Sequence, residues 1–266
     1  MTPPVIPPVT LPETPPVTPR VLVVQHQETC PPALLGGWLE EAGLTLDVRR
    51  PDLGEPLPTE PEAVAAYDAV LVLGGSMDAI DEDGHPWLRD TVTLLSHAIE
   101  QDLPTLGVCL GHQLIARARG GTVARNPRGR ALGVLPIGWT SAAAADPLLG
   151  GLARADGTTR CLQWNQDVVT VMPPDAVLLA ASPGGEPQVV RFADRAWGIQ
   201  AHPEADASVA QWWADDAAPD VAAQEATETV AVVTDAESEL EATWRPLATA
   251  FAAIATGVPT GVVTGP

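Results

Sequence analysis

The chain holds 266 residues, 34 of them acidic and 14 basic, for a formal charge of −20, and every basic residue is an arginine. A surface of that sign repels phosphate backbones and anionic headgroups, so neither nucleic acid nor membrane is an expected partner. Without lysine, Schiff-base chemistry on that residue and a P-loop phosphate site are both excluded.

Residues 1–19 are dominated by proline, which lacks an amide donor and fixes its own φ, and they read as a disordered arm. A domain is expected over 20–215. Residues 20–24 are a short apolar, β-branched run, the pattern of a buried parallel strand. Leu34, Leu35, Trp38 and Leu39 then follow helical spacing as far as Gly43. Strands are predicted at 45–48 and 69–73, the latter stopping at Gly74-Gly75. A helix is predicted over 87–101, with Leu88, Val92, Leu95 and Ile99 on one face. A fourth strand at 105–108 leads into a helix over 110–119.

From residue 122 the pattern changes to short strands at 133–139, 168–171, 177–181, 189–192 and 198–200, which include an antiparallel portion. Residues 216–266 form an acidic, alanine-rich helical extension with a frayed end from 258. Trp212, Trp213 and Trp244 are the expected packing anchors of the helical region beyond Ala205. Strands alternating with helices predict an α/β fold: an open, mostly parallel, doubly wound sheet with an added antiparallel portion.

Three cysteines, Cys30, Cys109 and Cys161, are odd in number and widely spaced, which is no disulfide framework. His85, His97 and His112 form no metal-ligand pattern with them, so neither a metal nor a cofactor is expected. The N-terminus does not read as a secretory signal and no apolar run is long enough to span a bilayer, which predicts a cytoplasmic protein.

One segment carries chemistry by itself. Gly107-Val-Cys-Leu-Gly111 lies between a predicted strand and a predicted helix, the arrangement of a nucleophile elbow with sulfur in place of oxygen. Flanking glycines permit the tight turn, and a helix N-terminus favours thiolate over thiol. Such a thiolate needs a base and a carboxylate that fixes the base's tautomer. His202-Pro-Glu204, after the strand ending at 200, offers both.

Gly-Val-Cys-Leu-Gly-His-Gln at 107–113, together with His-Pro-Glu at 202–204, resembles class I glutamine amidotransferases. The stretch Gly74-Gly-Ser-Met-Asp78, continuing to Trp87, is most similar to standalone members related to the glutaminase domain of GMP synthase. The resemblance covers about residues 20–215. It implies hydrolysis of the side-chain amide of L-glutamine through a cysteine thioester, with Cys109, His202 and Glu204 as the catalytic residues. Ammonia would pass to a separate, synthetase-type acceptor enzyme. The N–H of Leu110 and that of Gly75 would form the oxyanion hole. Gln113, Asn165 and Asp167 match positions that hold the substrate.

Two positions depart from the family pattern. Ser76 stands where proline is common, which is expected to loosen the oxyanion loop, and Ala131 lacks the glutamate of Gly-Arg-Glu-Ile-Gly. Two other readings compete: a γ-glutamyl hydrolase or peptidase using the same triad, and a catalytically silent binding domain.

Overall fold

A computed structural model describes residues 18–153, 158–216 and 221–257. The end expected to fray from 258 and nearly all of the proline-rich arm lie outside the described residues.

The first half alternates strand and helix: β1 (Arg20–Val24), α1 (Ala33–Glu41), β2 (Thr45–Arg49), α2 (Pro61–Val64), β3 (Ala69–Val72), α3 (Trp87–Glu100), β4 (Thr105–Val108) and α4 (Leu110–Ala118). The second half is mostly strand: β5 (Thr122–Arg125), β6 (Ala131–Trp139), β7 (Thr158–Asn165), β8 (Asp167–Val171), β9 (Val177–Ala181), β10 (Pro187–Ala193) and β11 (Ala196–Ile199). It closes with α5 (Ala207–Asp215) and α6 (Ala223–Thr256).

Nine strands form one sheet in the order β2-β1-β3-β4-β11-β10-β9-β6-β7, and β5 pairs with β8 apart from it. Strands β2, β1, β3, β4 and β11 run parallel, and the remaining four continue the sheet antiparallel. The fold is therefore the mostly parallel α/β sheet with an antiparallel portion that the sequence predicts. The spacing missed β5 and β7, the latter buried over most of its length but for Arg160.

Alternation along the central strands fills a core on each face. Val21 and Val23 pack with Leu35 and Leu39 of α1 and with Trp244, Leu247 and Phe251 of α6. Leu22 and Val24 face Leu88, Leu94 and Leu95 of α3 and Leu114 of α4. The buried stripe of α3 runs through Leu88, Thr91, Leu95 and Ala98, while Val92 and Ile99 are only partly covered. The predicted face therefore does pack on the core, with Val92 and Ile99 at its edge, and the stripe widens on the other side through Thr91, Leu94 and Ala98.

A third cluster joins α5 to α6 through Val209, Ala210, Trp213, Val233 and Leu240. Trp213 and Trp244 are buried anchors, whereas Trp212 is 48% exposed; the helix places these adjacent rings on different faces. No described helix is long and apolar enough to cross a membrane.

Candidate active site

Strands β3, β4 and β11 are parallel neighbours, so their C-terminal ends open on the same edge of the sheet, where open α/β folds bind ligands. Gly74-Gly75 follows β3, Cys109 follows β4, and His202-Pro-Glu204 follows β11. The register pairs Val108 with Ile199, which brings two segments far apart in the chain to one place.

Cys109 caps α4 with φ 50° and ψ −104°, a left-handed φ that a side chain rarely adopts. Both elbow glycines are required by contact. A Cβ on Gly107 would lie 2.5 Å from the carbonyl of Gly111, and one on Gly111 would lie 2.0 Å from that of Val72. The turn is held by the Cys109 N–H donating to Ile199 O (2.8 Å) and the Gly111 N–H donating to Leu73 O (3.2 Å).

Cys109 and His202 meet over Gly74. A Cβ placed there would sit 3.2 Å from His202 Cε1 and 3.6 Å from Cys109 Cβ. His202 Nδ1 lies 2.7 Å from Glu204 Oε1, and both side chains are buried. Burial opposes a charge on His202, but the Glu204 carboxylate and the Cys109 sulfur outweigh it and hold the imidazole up at about 10. The Trp213 ring packs over His202 at a centroid distance of 4.5 Å, and its indole N–H donates to Thr29 O at 2.7 Å.

The two residues expected to supply the oxyanion donors are neighbours in space: a Cβ on Gly75 would come within 2.9 Å of Leu110 Cδ2. First-turn amides of a helix such as Leu110 N–H have no partner within the helix. Ser76, expected to loosen this loop, is tied to a side chain. Its N–H and its hydroxyl both donate to Gln27 Oε1 at 2.8 Å, so a side chain from beyond β1 restrains the turn where a proline would.

Gln113, Asn165 and Asp167 line the cavity that also holds Cys109 and His202, about 530 Å³ in volume. The amides of Gln113 and Asn165 donate to the carbonyl of Asp167, at 3.0 and 3.1 Å. Asn165 Oδ1 is buried without a partner among the described residues. Burial and the neighbouring Asp78 push the Asp167 carboxyl up against the pull of Arg125, whose Nε is 3.4 Å away.

Sequence reasoning did not single out Gln27, Arg125 or Gln200, none of which stands out from ordinary polar residues. Gln200 is fully buried and donates from Nε2 to Cys109 Sγ at 3.6 Å. Among the described residues, no group of three or more His, Cys, Asp or Glu could hold a metal ion.

The family model of glutamine amidotransferase class-I matches residues 38–212. The chain belongs to the class-I glutamine amidotransferase family. A glutamine-hydrolyzing GMP synthase subunit of Halobacterium salinarum is 34% identical over 147 residues, 55% of this chain and 71% of that protein. Gamma-glutamyl peptidase 4 of Arabidopsis thaliana is 31% identical over 145 residues, 54% of this chain and 57% of that protein. The chain thus spans little more than half of that peptidase.

A glutamine amidotransferase structure from Thermotoga maritima superposes with a TM-score of 0.76 at 24% identity, over 89% of this chain and 99% of its own, so the two share the fold. The class-I match stops at residue 212, one short of the tryptophan that roofs His202. Proteins in this family are enzymes, and both amide-hydrolysing synthases and peptidases appear among the relatives.

Proposed function

We propose that the protein is a glutaminase, with Cys109 as nucleophile, His202 as general base and acid, and Glu204 as the group that orients His202. The observation that carries this reading is the meeting of Cys109 and His202 over Gly74, with Glu204 2.7 Å behind the imidazole, in one cavity.

The Cys109 thiolate attacks the side-chain amide carbon of glutamine, and the negative charge passes to the carbonyl oxygen. The N–H groups of Leu110 and Gly75 receive that oxyanion, each donor worth about 3 kcal/mol in the transition state. His202 gives its proton to the departing nitrogen, ammonia leaves, and a γ-glutamyl thioester remains on Cys109. Water, deprotonated by His202, then attacks the thioester; glutamate leaves and the thiol is restored. Asn165, Asp167 and Asp78 line the cavity, and the two acidic groups suit the α-ammonium of the substrate.

The acceptor of the ammonia is a separate, synthetase-type enzyme. A relative named as one subunit of GMP synthase supports this division of labour. Turning one peptide unit of the loop at Gly74–Met77 would supply or withdraw an oxyanion donor, and an acceptor enzyme that prefers the state with the donor supplied would raise kcat.

A second reading keeps the triad and changes the leaving group. The cavity, about 530 Å³, falls in the range of drug-sized ligand pockets, and Trp164 and Trp213 wall it beside His202. An amine larger than ammonia would fit there, as a γ-glutamyl peptidase requires. Steady-state release of ammonia from L-glutamine, set against release of amine from γ-glutamyl amides, tests both. Turnover of neither, with no labelling of Cys109 by a glutamine-analogue electrophile, would leave a binding domain.

A further inference from the structure

Gln200 lies between Ile199 and Ala201, whose side chains pack in the core beneath α1 and α6. Alternation therefore turns Gln200 to the opposite face, toward α4. Its backbone N–H is fixed to Gln188 O (2.8 Å) and its side chain is fully buried. There its Nε2 is 3.6 Å from Cys109 Sγ, and its Oε1 accepts from Gln113 Nε2 at 3.2 Å.

The direction of this hydrogen-bond chain is determined by one atom. Asp167 O is a backbone carbonyl and can only accept, so Gln113 must present its amino group to it, at 3.0 Å. The second hydrogen of that amino group then points at Gln200, which must answer with its oxygen. Gln200 is left with its N–H groups toward the sulfur. A flipped amide at either position would set donor against donor or acceptor against acceptor in a buried site.

We infer that Gln200 is a catalytic residue: a buried amide donor to the Cys109 sulfur, locked in its donating orientation by Gln113 and the carbonyl of Asp167. Its N–H strengthens as a donor when the sulfur is ionised, so it favours thiolate before substrate arrives. Gln113 thereby acts through Gln200 as a positioning residue, besides lining the cavity. The other ionisable groups at the sulfur are His202 and Glu204 after β11 and Cys30 from the loop after β1. The Glu204 carboxylate and the Cys109 sulfur both favour the charged His202 imidazole, so only variants that keep all three can be compared.

The inference rests on Cys109 being the nucleophile, and its test reads the sulfur rather than turnover. Full-length protein is alkylated with iodoacetamide between pH 5 and 9 and Cys109 modification is followed by peptide mass spectrometry, with Cys109→Ala as the blank. Burial pushes the Cys161 thiol up to about 12 and raises that of Cys30, so neither competes at neutral pH.

Gln200→Met, which keeps the length and loses the donor, is expected to slow alkylation at pH 6.5 about tenfold and to move the rate profile to higher pH. Gln113→Met, which frees Gln200 to flip, is expected to slow it several-fold. Rates and profiles within twofold of wild type in folded variants would overturn the inference. Should Gln200→Met not fold, an unchanged profile in Gln113→Met overturns it equally. Absence of glutamine turnover in the wild type would count against the proposed function and leave this comparison intact.

Discussion

His202 Nδ1 and Glu204 Oε1 lie 2.7 Å apart although only Pro203 separates the two residues, and neither side chain is appreciably exposed. The carboxylate is placed to fix the tautomer and to hold a charge on the ring. Glu204→Gln should slow turnover without erasing it, by roughly tenfold to ten-thousandfold in kcat. Unchanged kinetics would remove the orienting role.

The same pair has a stability signature. The folded imidazole is held up at about 10 from an ordinary 6.5. Its stabilisation is complete below pH 6.5 and disappears as pH rises through 10. The Tm gap between wild type and Glu204→Gln should therefore narrow from pH 6.5 to 10. A constant gap would contradict it.

Acid acts through two other histidines. Burial pushes His26 down to about 3, with Asp52 opposing and His85 reinforcing, and pushes His112 down to about 4. The unfolded chain takes up two protons near pH 6.5 that the folded chain refuses, so stability falls as pH drops below 6.5. The loss by pH 4.5 is on the order of several kcal/mol. His202, already protonated there in both states, does not offset it. Tm measured at pH 7 and 4.5 should show a smaller drop for His26→Leu and for His112→Leu than for wild type.

Backbone strain at the elbow predicts a trade between activity and stability. Cys109 holds φ 50°. Cys109→Ala should abolish glutamine hydrolysis and keep the fold. Cys109→Gly should be equally inactive yet more stable than the alanine variant by about 1 kcal/mol, since glycine adopts that φ without penalty. Denaturant unfolding of both decides; an alanine variant as stable as the glycine one argues against strain.

Gln27 offers a test of the loop. Its Oε1 holds both the N–H and the hydroxyl of Ser76, next to the expected oxyanion donor Gly75. Gln27→Leu should lower kcat about tenfold or more with little change in KM, because a mobile donor helps the transition state less than a fixed one. A change in KM alone would point to substrate binding instead.

The parallel half of the fold was legible because buried strands such as 20–24 and 69–73 are unbroken apolar runs closed by glycine or polar turns. Cys109, His202 and Glu204 could be picked out because each sits in a short motif with a chemical reason for its spacing. Gln200 and Gln27 were not, since their importance lies in which atom they face across the sheet. Strand β7 was missed for a related reason: Trp164 and Asn165 turn to the cavity and break the alternation. The Ser76–Gln27 contact was not legible either, because it joins two segments 49 residues apart.

The roof over His202 has a practical consequence for dissecting the protein. Trp213 is the residue just past the family-matched span, and α6 beyond it supplies Trp244, Leu247 and Phe251 to the core that covers β1 and β4. A fragment cut at residue 212 would keep every motif residue, yet would leave α1 alone to cover one face of the sheet and would uncover His202. The smallest piece expected to fold is thus larger than the family-matched span of 38–212. Fragments ending at 212, 222 and 257 would be expected to fail, fail and fold, in that order, by proteolytic resistance.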